Sequence, residues 1–464
     1  MSWLEQLSLW VYSILMRLLC PWVKLRLARR AHTQPLLASQ VQERFGYYDF
    51  TPLLTNPVGS CVWVHAVSLG ETRAAGLVMA ALRQANPHIR FLLTHGSATG
   101  REEGARLLGE QDLQVWQPWD TPASVERFID HFKPKLALMM ETEVWPLWVQ
   151  TCLSRGIPMC LINARLSEKS FHAALRLAWL ARPAYRGLSA VWAQTDEDAQ
   201  RLSALGAKVR GVLGNVKFDA HPNKDQASLG HAVRHVPSLL QVLLASAREG
   251  EELMFLQSIL ALPFEQRRGV NFLVVPRHPE RFEEVAQSIV AHGFDLVRRS
   301  SFDTLEAFAK AIQMSRDCQD GSHQGTELAR QNVSEAIGMG DSRQGQIFLG
   351  DSMGEMNFYY ACAHVALMGA SFKPLGGQNL IEAIANECPV VLGPHTFNFQ
   401  DIASMALQAG VARSSPTMAT GLEDALEWAR HPKDWNDSTQ RCSAFIQTHQ
   451  GASKALAKAL AEYL

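Results

Sequence analysis

The sequence lacks every arrangement of cysteine and histidine that would indicate a disulfide framework or a zinc site. Its eight cysteines are scattered along 464 residues without a Cys-x-x-Cys pair, and no His-Glu-x-x-His segment occurs. Scattered thiols are typical of a reducing compartment. The sequence also lacks an excess of either charge, because its formal net charge is −1. Near-neutrality argues against broad nucleic-acid binding, so any electrostatic role must come from local clusters of charge.

A long uninterrupted apolar run is missing as well, although the N-terminal segment comes close. Residues 3–20 are largely apolar, but Arg17 interrupts them and Pro21 follows, whereas a spanning helix needs about 20 apolar residues. No small-residue cleavage site follows. The Trp and Tyr side chains, with the basic residues after Pro21, predict an amphipathic helix or short signal-anchor at a membrane surface. A soluble amphipathic helix packed on the first domain is the alternative.

The sequence does contain a repeated alternation of short apolar runs and segments with helical spacing. In the first half the apolar runs cover 62–67, 90–95, 136–140, 158–163 and 190–194, with helical segments at 72–84, 124–131 and 168–180. After a polar hinge at 222–223, the second half has runs at 240–246, 271–276, 346–349, 364–368 and 389–392. This α/β pattern predicts two parallel sheets with helices on both faces. Right-handed crossovers place the loops that follow the strands at one edge of each sheet.

Two glycine loops follow neighbouring predicted strands of the second half. They cover residues 350–355 and 376–382, and each leads into a predicted helix. Free N–H groups at a helix N-terminus can hold a phosphate, and glycine lets a ligand approach the backbone closely. The pair of loops therefore predicts a phosphate site, with two ordinary strand-to-helix turns as the alternative.

Carboxylates follow two predicted strands of the first half. Glu71 stands in the first turn of a predicted helix, where the helix dipole favours a charged carboxylate, so it can serve as a general base. A glutamate that only stabilises the helix is the alternative. Glu141 and Glu143 follow the next carboxylate-bearing strand at i and i+2, and they would share a face if the strand continued. Acidic residues at this end of a strand are more often functional than structural, although a helix-dipole role fits Glu143.

Basic side chains stand in comparable segments of both halves of the chain. Arg165, in an Asn-x-Arg-x-Ser segment, can bind a phosphate, although capping of a helix by the serine is the simpler role of that segment. Lys217 can neutralise a leaving phosphate, with a solvated surface lysine as the alternative. Arg277 offers a planar fork for a phosphate, and Arg281 lies one helical turn further on.

Together these segments resemble the 3-deoxy-D-manno-octulosonic acid (Kdo) transferases over about residues 31–440. The motifs that carry the resemblance are His-x-x-Ser-x-Gly-Glu at 65–71, Glu-x-Glu-x-Trp-Pro at 141–146, Asn-x-Arg-x-Ser at 163–167, Gly-Asn-x-Lys-Phe-Asp at 214–219, Pro-Arg-His-Pro-Glu-Arg at 276–281, Met-Gly-Glu at 353–355 and Gly-Gly-x-Asn-x-x-Glu at 376–382. The resemblance implies the GT-B fold, in which two Rossmann-like parallel-sheet domains face a cleft. The expected parts are a membrane-anchor or interfacial helix at 1–30, an acceptor-binding domain at 31–220, a CMP-Kdo-binding domain at 221–440 with a polar insertion at 317–345, and a C-terminal helix at 441–464.

The resemblance also implies an activity and a set of site residues. The activity is transfer of Kdo from CMP-Kdo to a lipid A precursor, lipid IVA, with inversion, in lipopolysaccharide biosynthesis at the cytoplasmic side of the inner membrane. No metal and no other cofactor is expected. By resemblance Glu71 is the base, Glu141 stabilises the transition state and Lys217 acts at the cleft on the leaving phosphate. The expected donor contacts are Pro276, Arg277, Met353, Gly354, Glu355, Asn379, Leu380, Ile381 and Glu382.

The sequence departs from the family pattern at four positions, and two other functions stay open. Leu147 stands where asparagine is usual, Ala247 and Arg248 replace threonine and histidine, and Gln378 replaces a histidine with an amide that cannot titrate. One alternative is a GT-B enzyme with another nucleotide-sugar donor, such as a UDP-sugar transferase or 2-epimerase, since a fold does not fix a donor. The other is a non-catalytic binding protein of the membrane surface, against which the presence of Glu71 argues.

Overall fold

The computed structural model describes residues 3–33, 40–48, 61–237, 239–319 and 345–464. Residues 320–344, most of the predicted insertion, therefore lie outside the described residues. The chain divides into two compact units, one of Met1–Ala220 together with His449–Leu464, and one of His221–Thr448. Each unit is built on one parallel sheet of seven strands.

The sheet of the first unit has the strand order β3-β2-β1-β4-β5-β6-β7. Its strands are β1 (Cys61–His65), β2 (Arg90–His95), β3 (Leu113–Trp116), β4 (Leu136–Met140), β5 (Met159–Ala164), β6 (Ala190–Ala193) and β7 (Val209–Val212). The order changes direction where β1 pairs with β4, the point at which doubly wound sheets place their ligand sites. Both faces are covered, because Val62 and Val64 pack into one core and Trp63 into the other. Burial on both faces explains why these strands are apolar throughout.

The helices that cover this sheet mostly start at hydroxyl caps. They are α1 (Trp3–Thr33), α2 (Gln40–Arg44), α3 (Leu69–Ala85), α4 (Ala98–Ala105), α5 (Pro122–Phe132), α6 (Pro146–Ser154), α7 (Glu168–Arg176), α8 (Ala178–Gly187) and α9 (Asp196–Ala204). The side chains of Ser68, Ser97, Thr121, Ser167 and Thr195 each accept a backbone N–H in the first turn of α3, α4, α5, α7 and α9, so the predicted cap by the serine of the 163–167 segment is confirmed. Such caps satisfy donors that the helix itself leaves free.

The second unit repeats the arrangement with the strand order β10-β11-β9-β8-β12-β13-β14. Its strands are β8 (Leu240–Ala247), β9 (Val270–Pro276), β10 (Asp295–Arg298), β11 (Gln346–Leu349), β12 (Val365–Met368), β13 (Val390–Leu392) and β14 (Ala412–Ser414). Its helices are α10 (Lys224–Arg234), α11 (Glu251–Ala261), α12 (Phe264–Arg267), α13 (Phe282–Ala291), α14 (Leu305–Gln319), α15 (Met356–Cys362), α16 (Ile381–Ala385), α17 (Gln400–Gln408), α18 (Met418–Arg430) and α19 (Pro432–His449). Short 3₁₀ turns at Val216–Asp219, Pro279–Arg281, Arg299–Ser301 and Ala461–Tyr463 complete the two units.

The chain returns to the first unit through a last helix, α20 (Ala452–Leu460). Leu456 and Leu460 pack into the same core as Val62. Asp219 fixes the entry to this helix, because its carboxylate accepts the N–H groups of Gly451 at 2.5 Å and Ser453 at 2.6 Å. The helical segment predicted over 441–464 is therefore divided into two parts. Gly451 has a φ of 109°, which only glycine adopts readily, and it separates α19 from α20.

The prediction of two parallel sheets with helices on both faces is confirmed. All ten apolar runs are strands, within one or two residues at their ends. The four strands that the sequence did not predict are β3, β7, β10 and β14, which are the edge strands of the two sheets. The helical segment predicted over 168–180 is helical, but not as one helix. It is divided between α7 and α8, because the backbone at Leu177 has φ −107° and ψ 32°.

The N-terminal helix α1 is longer than predicted and apolar on two sides. It runs through Pro21 to Thr33. One side is buried against the first unit through Leu9, Met16, Val23 and Leu27. The other side exposes large apolar residues, among them Trp3, Leu4, Leu7, Trp10, Val11, Leu15, Leu18, Trp22 and Leu25. Gln6, Arg17 and the basic residues after Pro21 interrupt the exposed apolar side, so α1 is less strongly amphipathic than predicted.

Candidate active site

Glu71 lies in the first turn of α3, a few residues beyond the carboxyl end of β1. Its Oε2 accepts the N–H of Val67 and its Oε1 accepts the hydroxyl of Ser68, both at 2.9 Å. Ser68 Oγ in turn accepts the Glu71 N–H at 3.3 Å. Burial raises the pKa of the Glu71 carboxyl above its ordinary value; the hydrogen bonds oppose this shift, and the negative charges of Glu141 and Glu143 add to it. The result is a carboxylate that is held in place and is more basic than a free glutamate.

Glu141 follows β4 and is a buried carboxylate held by two cations. It is 5% exposed. Lys217 Nζ donates to Oε1 at 2.7 Å, and Arg165 Nε lies 3.3 Å from Oε2. The backbone of Glu141 has a φ of 54°, which costs a residue with a Cβ roughly 1–2 kcal/mol. Strain of this kind concentrates at functional sites.

A chain of side-chain amides holds Lys217 in position. Asn215 Oδ1 accepts the Lys217 N–H at 3.0 Å, and Asn215 Nδ2 donates to Gln194 Oε1 at 3.0 Å. Gln194 Nε2 donates to the carbonyl of Asn163 at 2.9 Å. The Asn163 side chain accepts the N–H of Val216 through Oδ1 at 3.1 Å. The two motifs at 163–167 and 214–219 are therefore one hydrogen-bonded structure.

Glu143 binds a different set of groups. Trp145 Nε1 donates to Glu143 Oε2 at 2.8 Å, and His65 Nε2 lies 3.6 Å from the same oxygen. His65 is fully buried, and its Nδ1 lies 2.8 Å from Thr94 Oγ1. Burial by itself would raise the pKa of Glu143, but His65 and Trp145 bring it below its ordinary value. Glu143 thus joins the end of β1 to the segment that starts α6.

The structure brings Glu71, Glu141 and Lys217 to the carboxyl edge of the first sheet. The effect of the Glu141 charge on the pKa of Glu71 reflects their proximity. The direct bond between Lys217 and Glu141 was not predicted, because 76 positions separate the two residues and no local pattern relates them. The contacts of Arg165 and His65 with the two carboxylates were missed for the same reason. This edge combines a proton acceptor with a carboxylate and two cations.

The two arginines of the segment 276–281 have different surroundings. Arg281 donates from Nη1 to the buried Glu252 at 2.5 Å and from Nη2 to Glu284 at 3.1 Å, so its role is structural. Arg277 is partly buried, and within the described ranges its guanidinium has no hydrogen bond or ion pair. Pro276 ends β9 with its side chain buried, so that predicted donor contact is available only through its backbone. Arg277 is the arginine of this segment that can bind an anion.

The carboxylate of Glu355 is already bonded to an arginine. Arg299 donates from Nε to Oε2 at 3.1 Å and from Nη2 to Oε1 at 2.9 Å, which is a bidentate pair. Next to it, Arg298 Nε donates to Asp351 at 2.7 Å. Both arginines lie at the end of the edge strand β10, which explains why the sequence did not reveal them. If CMP-Kdo contacts the Glu355 carboxylate, that carboxylate must bind the substrate and Arg299 at the same time.

The predicted donor contacts at 379–382 are mostly backbone groups. Asn379 Oδ1 accepts the N–H of Ile381 at 3.2 Å. The side chains of Leu380 and Ile381 are each 1% exposed, so only the backbone of these residues can meet a ligand. Glu382 is partly buried. The two glycines at 376–377 have φ values of 94° and 79°, which a residue with a Cβ adopts only with strain.

The helices behind the two glycine loops are short. Helix α15 has seven residues and α16 has five, so their dipoles are weaker than that of a long helix. In the first of these loops Gly354 has a φ of 84°, its carbonyl accepts Gln226 Nε2 at 3.0 Å, and the Met353 side chain is 63% exposed. Any phosphate site here depends on individual N–H groups and on Arg277 more than on helix charge.

Glu251 fixes the loop that precedes the glycine pair at 376–377. It is fully buried. Its Oε2 accepts the N–H groups of Arg248 at 2.9 Å and Ala370 at 2.6 Å, and its Oε1 accepts the N–H of Phe372 at 3.1 Å. Glu251 therefore joins the loop after β8 to the loop after β12. Glu251 was not among the predicted site residues.

No group of three or more His, Cys, Asp or Glu side chains is arranged to hold a metal ion in the part of the chain that the structure describes.

Comparison with known sequences identifies relatives over nearly the whole chain. A family model described as 3-deoxy-D-manno-octulosonic-acid transferase (kdotransferase) matches residues 39–220. A 3-deoxy-D-manno-octulosonic acid transferase of Bordetella pertussis is 39% identical over 465 residues, which cover 98% of this chain and 99% of the relative. A protein of the same name from Haemophilus influenzae is 29% identical and covers 93% of this chain and 92% of the relative.

Comparison with solved structures identifies the fold. A UDP-GlcNAc 2-epimerase from Neisseria meningitidis, bound to UDP-GlcNAc, matches 86% of this chain and 99% of its own with a TM-score of 0.52 and 14% identity. A glycosyltransferase from Rickettsia africae matches 87% of this chain and 98% of its own with a TM-score of 0.51 and 13% identity. At such low identity the likeness concerns the fold alone, and it confirms the predicted GT-B architecture.

Proposed function

This chain belongs to the Kdo transferase family, and on that premise we propose that it transfers Kdo from CMP-Kdo to a lipid A precursor, lipid IVA, with inversion at the anomeric carbon. The product would enter lipopolysaccharide biosynthesis. The observation that carries the proposed mechanism is the Glu71 carboxylate, which two hydrogen bonds hold beside Glu141 at the end of β1.

Glu71 is the proposed general base. It would accept the proton of the acceptor hydroxyl while the hydroxyl oxygen bonds to the anomeric carbon of Kdo. Its raised pKa suits this role, because a base works best when its pKa approaches the working pH. Ser68 and Val67 fix the carboxylate, which removes the entropy of orienting it in each turnover.

Glu141 and Lys217 are the proposed partners for charge that develops in the transition state. As the bond from the anomeric carbon to the phosphate oxygen breaks, CMP leaves with the bonding electrons and the sugar gains oxocarbenium character. The Glu141 carboxylate would stabilise the positive charge that develops on the sugar. The Lys217 ammonium has three donors and uses one for Glu141, so the others remain for the leaving phosphate.

The second unit is the proposed donor-binding unit. Arg277 is the proposed ligand of the CMP phosphate, because within the described residues its guanidinium has no hydrogen bond or ion pair. The backbone of Met353, Gly354 and the segment 379–382 would hold the nucleotide, with Glu382 and Glu355 as side-chain contributors. CMP-Kdo is a substrate, and no metal or other cofactor enters the proposal.

Helix α1 is the proposed contact with the cytoplasmic face of the inner membrane. Its exposed side carries Trp3, Trp10 and Trp22, and exposed basic residues lie at Arg17, Lys24, Arg26 and Arg29. Trp at an interface and arginine or lysine near anionic headgroups are typical of helices that lie on a bilayer. By length and composition Trp3–Arg29 could also cross a membrane. We favour the surface position, because α1 buries its other side against the first unit.

The test is release of CMP from CMP-Kdo by the purified chain, with and without a tetraacylated lipid A precursor. We expect release that requires the acceptor, and a lipid product heavier by whole Kdo units. Glu71→Gln keeps the size of the side chain and should lose transfer by roughly 10²–10⁴-fold, the usual contribution of a general base. Binding of CMP-Kdo to the variant, measured by calorimetry, should stay within about twofold, because Glu71 does not contact the donor phosphate in this proposal.

UDP-sugars serve as the control donors. Release of UDP from a UDP-sugar, without release of CMP from CMP-Kdo, would replace the proposed donor with that of the epimerase-like alternative. Transfer that persists in Glu71→Gln at the wild-type rate would refute the role of Glu71 while leaving the donor assignment intact.

A further inference from the structure

Asp120 is a buried carboxylate outside the residues of the proposed mechanism. It lies between β3 and α5 and is 1% exposed. Its Oδ1 accepts the N–H of Trp148 at 3.1 Å, and its Oδ2 accepts the N–H of Leu147 at 3.3 Å and the hydroxyl of Tyr12 at 2.8 Å. Three donors on one carboxylate from two distant helices make Asp120 a junction in the first unit.

The two N–H groups are those that α6 leaves free at its start. The helix begins at Pro146, which has no N–H, and its N-cap residue Trp145 makes no side-chain cap. Leu147 and Trp148 are the next residues, so Asp120 supplies from a distance the cap that the local sequence lacks. A helix start that depends on a remote carboxylate is fixed relative to β3 and not only to its own loop.

The start of α6 carries the loop 141–145 of the candidate site. Trp145 donates to Glu143 at 2.8 Å, and Glu143 lies 3.6 Å from His65 at the end of β1. Glu141 stands two residues earlier in the same loop. A shift of Asp120 would therefore move a segment that carries one proposed transition-state residue and one neighbour that affects the pKa of Glu71.

Tyr12 connects this junction to α1. Besides the hydroxyl bond to Asp120, α1 forms an ion pair with the rest of the unit between Glu5 and Arg186 at 2.9 Å. That ion pair joins α1 to α8. Burial raises the pKa of Asp120 to about 7, and the Tyr12 hydroxyl and the two N–H groups oppose the rise. The hydroxyl thus favours the ionised form that accepts all three hydrogen bonds.

We infer that Asp120 and Tyr12 are positioning residues: Asp120 fixes the start of α6 and the loop 141–145, and Tyr12 ties this cap to helix α1. Neither side chain contacts the reacting groups. The inference rests on the proposed function for its kinetic part, whereas its structural part can be measured without any substrate.

The test compares Tyr12→Phe with Glu5→Gln in the full-length chain. Tyr12→Phe removes one hydroxyl and keeps the ring, and we expect kcat for Kdo transfer to fall about tenfold, since small misplacements of a site are costly. The KM for CMP-Kdo should stay within about twofold. Hydrogen exchange at the Leu147 and Trp148 amides, measured without substrate, should rise about tenfold. Glu5→Gln should leave kcat and exchange within about twofold, although it also removes a contact of α1.

If the Asp120→Asn variant folds, it completes a double-mutant cycle with Tyr12→Phe. We expect Tyr12→Phe to add nothing to kcat in that background, because its partner is already altered. Wild-type kcat together with wild-type exchange in Tyr12→Phe would overturn the inference, and so would an equal loss in Glu5→Gln. If the wild-type chain transfers no Kdo, the proposed function fails, while the exchange data still decide whether Tyr12 and Asp120 hold the start of α6.

Discussion

Lys217 donates a hydrogen bond from Nζ to Glu141 Oε1 at 2.7 Å, although 76 positions separate the two residues. The side chain of Glu141 is 6% exposed and that of Lys217 is 20% exposed. Because water screens such a pair only weakly, loss of one partner leaves a costly buried charge. The pair also joins the loop after β4 to the 3₁₀ turn Val216–Asp219, so it links two motifs that the sequence presents separately.

The first prediction concerns the stability of this pair. Lys217→Met should lower the free energy of unfolding by about 2–3 kcal/mol, because Arg165 alone remains to balance Glu141. Adding Glu141→Gln should recover part of the loss, since the buried charge then disappears. Urea unfolding of the two single variants and the double variant measures the coupling. Lys208→Met, at an exposed lysine, is the control and should stay within about 0.5 kcal/mol. Strictly additive losses would show that the two residues do not interact.

The second prediction concerns the pH dependence of transfer. The negative charge of Glu143 raises the pKa of Glu71, so Glu143→Gln should lower that pKa. The acid limb of the profile of kcat/KM against pH reports the base of the free enzyme, and it should therefore move to lower pH. Glu110→Gln, at an exposed carboxylate outside this group, should leave the limb in place. A limb that stays fixed or moves to higher pH in Glu143→Gln would exclude Glu71 as the titrating base.

The central strands of both sheets could be predicted from sequence, and the edge strands could not. A central parallel strand is buried on both faces, so Leu136–Met140 is a continuous apolar run. The edge strand β7 alternates partly buried and exposed residues and contains Arg210 and Gly211, so no apolar run marks it. The edge strand β10 also has no apolar run, since Asp295 and Arg298 stand at its ends. The role of Arg298 as a partner of Asp351 could be recognised only in the structure.

Glu71 and Glu141 were predictable because they follow central strands, whereas Lys217 follows the edge strand β7 and was found through its sequence motif. Glu71, Glu141 and Lys217 were singled out because each stands beside a recognisable strand or motif, and the structure places them at one sheet edge. Their partners were not predictable, because a hydrogen bond between Lys217 and Glu141 depends on which strands become neighbours. Leu380 and Ile381 were predicted as donor contacts by resemblance, and because their side chains belong to the core, only their backbone groups can make such contacts.

The third prediction separates the two arginines of the segment 276–281. Arg277→Met should raise the KM for CMP-Kdo at least about tenfold, the expected loss for one charged hydrogen bond, and leave stability nearly unchanged. Arg281→Met should leave the KM for CMP-Kdo nearly unchanged and lower stability. It leaves the buried Glu252 unpaired and should lower the free energy of unfolding by about 2–4 kcal/mol. Steady-state kinetics and urea unfolding of both variants are the measurements.

Each arginine variant is the control for the other. A large loss of stability in Arg277→Met would mean that its guanidinium has a structural partner. A donor KM that rises only in Arg281→Met would transfer the phosphate-binding role to that residue.

The last prediction concerns Glu251, which accepts three backbone N–H groups with its two oxygens. Glu251→Gln replaces one acceptor oxygen with an N–H₂ group. At least one buried backbone N–H then loses its acceptor and faces the N–H₂ group instead. We expect the free energy of unfolding to fall by about 2–3 kcal/mol. Donor affinity should fall as well, because the loop at 369–372 precedes Gly376 and Gly377 and would lose its anchor.

The neighbouring Glu249 provides the matched control for Glu251. Its side chain is 54% exposed, and its pair with Arg248 lies at the surface, where such pairs contribute about 0–1 kcal/mol. Glu249→Gln should therefore leave both the urea midpoint and the affinity for CMP-Kdo nearly unchanged. If Glu251→Gln loses stability but keeps full donor affinity, the loop at 369–372 does not order the glycine pair, and the donor site must depend on Arg277 and the loop at 353–355 instead.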